Sequence, residues 1–118
     1  MPTFYHYAQC STCRKAQKWL ETHKNKLNSI DITTAPPSKE QLKKVLRASG
    51  KKITDLLNTS GIQYREMNMK EKMKTLSEDQ LLEMLSKNGR LIKRPLVVEG
   101  EKATIGFKED EFKKTWAS

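Results

Sequence analysis

The run Thr3-Phe-Tyr-His-Tyr-Ala-Gln-Cys10-Ser-Thr-Cys13-Arg-Lys-Ala16 changes its hydrophobic rhythm in the middle, and that change sets the architecture. Residues 3–7 are aromatic or β-branched almost without interruption and read as a buried strand. Ala8-Gln9-Cys10-Ser11 is a turn. Beyond it, Ala16, Trp19, Leu20 and His23 recur at helical spacing, which predicts an amphipathic helix over 12–24. The two cysteines therefore fall where a strand hands over to a helix.

Working outward, Leu27, Ile30 and Ile32 suggest a second strand, closed by Ala35-Pro36-Pro37. Ser38-x-x-Gln41 has the form of a capping box, with Leu42, Val45 and Leu46 as the apolar stripe behind it. A short helical piece is expected around 53–57. A second capping box, Ser77-x-x-Gln80, leads into Leu81, Leu82 and Leu85, and Asn88-Gly89 ends that helix. Leu96-Val97-Val98 and the alternating Ala103, Ile105 and Phe107 form a hairpin about Glu99-Gly100-Glu101. Phe112 and Trp116 give a last helix. The order is β-α-β, a helical block, then β-β-α. That is an α/β fold with a thioredoxin-like mixed sheet, read as one domain over 1–118 with a helical subdomain inserted at about 38–88.

The chain has 118 residues, 36% hydrophobic and 31% charged, enough for a modest core without disulfide staples or a structural metal. The first residues show no basic region, apolar run or small-residue cleavage site. No segment is apolar enough to span a membrane, so the cytoplasm is the expected compartment. The formal charge of +9 favours anionic partners. It is dispersed over Lys43-Lys44, Lys51-Lys52, Lys70, Lys72, Lys74 and Lys113-Lys114, with few aromatics between. Base stacking and direct nucleic-acid binding are therefore not expected. A monomer is expected.

In a reduced compartment a C-x-x-C is more often catalytic or metal-binding than structural. The nucleophile of disulfide chemistry is the thiolate, whose ordinary pKa is about 8.5 and falls at a helix N-terminus. Cys10 precedes the first helical turn. Cys13 lies one turn on and on the same face, able to attack a mixed disulfide on Cys10. The expectation is Cys10 as attacking thiolate and Cys13 as resolving thiol, with Arg14 and Lys15 adding positive charge. Three other readings stand beside it: a zinc half-site completed by His6 and His23, a structural disulfide, and two inert packed cysteines. His6, inside the first strand, reads as a packed histidine with a minor claim to tune Cys10. Met67, Met69 and Met73 read as a gap-filling patch, or more sharply as an adaptable surface.

Pro95 stands just before a strand, where proline is tolerated at a strand start or edge. An X-Pro bond can also be cis, placing a backbone edge beside active cysteines. Arg94 offers a planar charged fork for a thiolate or an oxyanion. Arg90 and Lys93 flank this loop and are further candidates for an anionic thiol, with surface solvation as their plain reading.

Cys10-Ser-Thr-Cys-Arg-Lys-Ala16, Leu56-Leu-Asn-Thr59, Leu91-Ile-Lys-Arg-Pro-Leu96 and Ile105-Gly-Phe107 together cover essentially the whole chain. In this order they resemble the family that groups glutaredoxin-coupled arsenate reductases, the transcription regulator Spx and small uncharacterised relatives. The resemblance implies a thioredoxin-like sheet with an inserted helical subdomain, a catalytic cysteine at Cys10 and an arginine before a cis-proline at Arg94. Pro95, Ser11, Thr12, Arg14 and Asn58 are the accompanying candidates for substrate binding or thiolate tuning. It implies a thiol-dependent oxidoreductase with no metal or nucleotide cofactor. Glutathione or another thiol, or a glutaredoxin or thioredoxin system, would supply the electrons.

Arsenate reductases of this type use three arginines, and here Asn58 and Phe107 stand at two of those positions. With each charged hydrogen bond worth about 1.5–3 kcal/mol, arsenate reduction becomes the weaker alternative. The other alternative is a Spx-like redox-switched regulator that binds the C-terminal domain of the RNA polymerase α-subunit. Lys52 falls where Spx has a glycine important to that contact, and the sequence, ending at Ser118, is expected to lack the longer basic tail of Spx.

Overall fold

The computed structural model describes residues 1–23, 26–59 and 61–117. Its elements run β1 (Thr3–His6), α1 (Ser11–Thr22), β2 (Asn28–Asp31), α2 (Lys39–Ser49), a 3-10 turn (Ile53–Leu56), α3 (Ile62–Glu66), α4 (Met69–Thr75), α5 (Glu78–Lys87), a second 3-10 turn (Gly89–Leu91), β3 (Leu96–Glu99), β4 (Lys102–Ile105) and α6 (Glu109–Trp116). The strands form a mixed sheet in the order β2-β1-β3-β4. β1 and β2 are parallel, while β3 is antiparallel to both β1 and β4. This is the thioredoxin-like arrangement that the element order predicts.

Alternation along the strands sends neighbouring side chains to opposite faces. Phe4 and its register partner Val97 pack with Ala16, Leu20, Phe112 and Trp116, which fixes α1 and α6 to one face. Tyr5, Leu96 and Val98 go to the other face, joining Leu42, Val45, Leu82 and Leu85 from α2 and α5. The apolar cluster on that side continues through Leu56 and Leu91 at the ends of the 3-10 turns and Leu57 and Ile92 just after them. Trp116 is anchored in turn by its indole N–H, which donates to Thr104 Oγ1 at 3.1 Å in a buried bond.

Several boundaries differ from the sequence reading. The first helix starts at Ser11, because Cys10 has extended backbone and acts as its N-cap. It ends at Thr22, and Lys24, the expected last residue, lies outside the described residues. β2 is shorter than the apolar spacing suggests; Ile32 leaves the strand but still donates its N–H to the His6 carbonyl at 2.9 Å. Residues 62–75, read only as generally helical, form two short helices separated by Asn68 in the left-handed region (φ 51°). Met69 is fully buried there and Met67 and Met73 pack on the core, in line with the gap-filling reading.

Ser38 and Ser77 both cap as expected, each accepting from the N–H three residues on. At Ser77 the box is reciprocal, Gln80 Oε1 accepting the Ser77 N–H at 2.9 Å. Among the described residues no helix is long and apolar enough to cross a membrane.

Candidate functional site

The site forms at one end of the sheet, where three chain segments meet. The first is the β1–α1 junction. Cys10 N–H donates to the Tyr7 carbonyl at 3.0 Å, closing the turn. The Cys10 sulfur then accepts the Cys13 N–H at 3.1 Å, so Cys10 caps the helix with its side chain. An anionic sulfur accepts such a bond better than a neutral one.

The second segment is the loop into β3, where the Arg94–Pro95 bond is cis. Pro95 is buried and its carbonyl accepts the Gly106 N–H at 2.9 Å, tying the loop to the end of β4. The third is the stretch after the first 3-10 turn. An antiparallel bridge between Leu57 and Ile92 holds it against the loop. Asn58 N–H donates to the Leu91 carbonyl at 2.9 Å and Lys93 N–H to the Leu56 carbonyl at 2.7 Å.

These ties bring Cys10, Thr12, Asn58 and Arg94 around one depression of about 280 Å³, together with Lys93, Phe107 and Lys108. Asn58 and Arg94 also line a neighbouring cleft of about 340 Å³ with Tyr7, Glu66 and Arg90. The Arg94 guanidinium carbon lies 4.8 Å from the centre of the Tyr7 ring, a cation–π contact that orients the fork.

Cys10 is partly exposed, and Cys13 is buried at 2% exposure. Burial pushes the Cys13 thiol up to about 12, and the adjacent Cys10 sulfur pushes the same way. The Tyr7 backbone and the Arg94 charge oppose the rise without cancelling it.

The remaining expected residues lie elsewhere. Ser11 and Arg14 are exposed and line neither hollow; Arg14 instead donates to the Ala8 carbonyl at 3.0 Å. The His6 ring stacks on Phe4 with centroids 5.7 Å apart and is paired in register with Asp31, away from the depression. His23 stacks on Trp19 at 3.8 Å. Among the described residues no three His, Cys, Asp or Glu side chains are grouped so as to hold a metal ion.

Tyr7 and Lys108 escaped the sequence reading as site residues. In the sequence Tyr7 reads only as part of the strand run, and Lys108 is not singled out. Their roles come from what the fold sets against them.

Comparison with known proteins agrees with the fold. The model of the ArsC family matches residues 5–115. The uncharacterised protein YusI of Bacillus subtilis is 55% identical over 115 residues, covering 98% of each chain. The global transcriptional regulator Spx of Listeria innocua is 29% identical over 114 residues, 97% of this chain and 86% of that protein. A crystal structure of an ArsC-family-related protein from Bacteroides fragilis superposes with a TM-score of 0.90 at 37% identity, covering 96% of this chain and 95% of the other. The family match begins within β1 and runs into α6, taking in the cysteine pair, the cis-proline loop and the strands β2, β3 and β4, and on that ground the chain belongs to the ArsC family.

Proposed function

We propose that this protein is a thiol–disulfide oxidoreductase in which Cys10 attacks and Cys13 resolves. The observation that carries the reading is the asymmetry of the pair. One sulfur caps a helix at the mouth of a basic depression, and the other is a buried, strongly proton-holding thiol directly behind it.

In the first step the Cys10 thiolate attacks one sulfur of a substrate disulfide. The substrate S–S bond breaks, a mixed disulfide forms on Cys10, and a substrate thiolate leaves with the electron pair. Cys13 then gives up its proton and attacks the Cys10 sulfur, forming the Cys10–Cys13 disulfide and expelling the second substrate thiolate. A small thiol, or a glutaredoxin or thioredoxin system, supplies two electrons and two protons to restore the dithiol.

Arg94 places a permanent positive charge beside the anions of both steps. Thr12 and Asn58 offer hydrogen bonds to the bound partner, and the buried Pro95 fixes the loop that carries Arg94. Asn58 and Phe107, which replace two of the arginines of arsenate reductases, both line the depression. This keeps arsenate as the weaker substrate.

The test is a pair of substitutions. Cys10→Ser should abolish turnover of reducible disulfides, and Cys13→Ser should accumulate a mixed disulfide on Cys10, read by intact mass. Full activity in both variants would sink the mechanism.

The likeness to Spx along 97% of the chain favours one second reading, a redox-switched regulator contacting the C-terminal domain of the RNA polymerase α-subunit. Lys52 is exposed at the head of the first 3-10 turn and presents a long cation where that resemblance has a glycine. Pull-down of the α domain by the oxidised form alone, without reductase turnover, would favour regulation over catalysis.

A further inference from the structure

The depression at Cys10 differs from the adjoining cleft, and from a third cleft elsewhere on the protein, in the sign of its lining. Lys93, Arg94 and Lys108 border it and, among the described residues, no carboxylate does. Glu66 shares the adjoining cleft with Arg90 and Arg94, and Glu101 and Glu111 share the third with lysines.

Lys93 passes close to Gly106. That glycine has φ 75°, and a Cβ built on it would lie 3.0 Å from Lys93 Cε and 3.6 Å from Nζ. The flexible end of the lysine therefore runs close past Gly106 at the border of the depression. Lys108 comes within 3.9 Å of Glu111, but that carboxylate lies closer to Lys51, at 3.2 Å, so the Lys108 charge is only partly offset.

We propose that Lys93 and Lys108 make this site selective for disulfides of anionic thiols, those carrying a carboxylate a few bonds from the sulfur. The inference rests on Cys10 being the attacking group. When Cys10 displaces one anionic thiolate and keeps the other in a mixed disulfide, the retained carboxylate stays among the three cations that line the depression. A neutral or cationic partner gains nothing there, and a cationic one is repelled. The charges line the same depression as the reacting sulfur, so they act on the chemistry as well as on long-range encounter.

The experiment compares three aliphatic disulfides of similar size: 3,3′-dithiodipropionate, 2-hydroxyethyl disulfide and cystamine. Each rate of Cys10 modification is divided by the rate of the same disulfide with 2-mercaptoethanol, which removes intrinsic reactivity. The expected order is anionic, then neutral, then cationic. In the double variant K93Q/K108Q the anionic-to-neutral ratio should fall about ten-fold, the effect of two unit charges at close range in a wet site.

The control K70Q/K74Q removes the same charge from α4, which does not line the depression. Its ratio should stay within about two-fold of the parent once salt at about 0.15 M has shortened screening to about 8 Å. K93R should retain the preference.

An equal fall in both double variants would assign the preference to the general field of the protein and overturn the inference. An unchanged ratio in K93Q/K108Q would overturn it as well, while leaving thiol exchange at Cys10 intact. No reaction of Cys10 with any of the three disulfides would remove the oxidoreductase reading and this selectivity with it.

Discussion

Cys13 holds its proton because ionising it would strand a charge in the apolar layer between α1 and the sheet, next to the electron-rich Cys10 sulfur. The sign of the consequence follows from linkage. Below pH 9 folded and unfolded chains both bind the Cys13 proton. Above it the unfolded chain releases the proton and the folded one keeps it, up to about pH 12. The contribution of Cys13 to stability is therefore complete below pH 9 and lost progressively as the pH rises. Chemical denaturation at pH 8 and pH 10.5 should show a steeper loss for the reduced parent than for Cys13→Ser, in which the titrating group is gone. Identical slopes would show that the thiol is not held as described. Arg94 is the opposite kind of group, always charged and held in orientation by the Tyr7 ring rather than by a carboxylate.

Elements are joined by contacts that the local sequence only half announces. Gly89 opens the second 3-10 turn, and a Cβ there would lie 1.8 Å from the backbone oxygen of Ile32. No rotamer change relieves a clash with a main-chain atom, so the turn must move away from the end of β2. Gly89→Ala should cost at least about 1–3 kcal/mol, the ordinary range for overpacking. Ser77→Ala, which removes one half of the reciprocal capping box of α5, should cost about 1 kcal/mol. Urea unfolding of both variants checks the order. If Gly89→Ala proved the milder change, the close approach to Ile32 would be wrong. The Gly89 substitution also bears on the site, because Leu91 and Ile92 just beyond it are the backbone partners of Asn58 and Leu57. The Ser38 and Ser77 caps and the apolar stripes of α2 and α5 were legible in the sequence because each is a short-range pattern, although only Ser77 forms the full box. The division of residues 62–75 into α3 and α4 was not, since it depends on Asn68 adopting a left-handed conformation inside a lysine-rich run of high helix propensity.

At the scale of the molecule, the sheet is covered on both faces, and the helices between β2 and β3 share their apolar cluster with one of them. Leu42, Val45, Leu82 and Leu85 contact the same core as Tyr5, Leu96 and Val98. The helical insertion therefore has no separate interior of its own to sustain it. Unfolding should be a single transition. Far-UV circular dichroism, dominated by the helices, should coincide with fluorescence from Trp19 and Trp116, which sit on the opposite face with α1 and α6. Separated midpoints would mean that the insertion melts by itself. The formal charge of +9 raises the encounter rate with anions at low salt.

Local sequence was enough to establish the element order, the caps, the strand–turn–helix placement of Cys10 and Cys13 and the family resemblance. All of these depend on neighbours within a few residues, or on motifs that survive as linear text. Tertiary packing settled what surrounds the pair. It set Asn58 and Lys93 beside Cys10 through a two-strand bridge, laid Tyr7 under Arg94, drew Lys108 in from the head of α6, and left Arg14 outside pointing at Ala8. The difference arises because a side chain's charge is visible in sequence, whereas its distance from a given sulfur is fixed by packing between segments tens of residues apart.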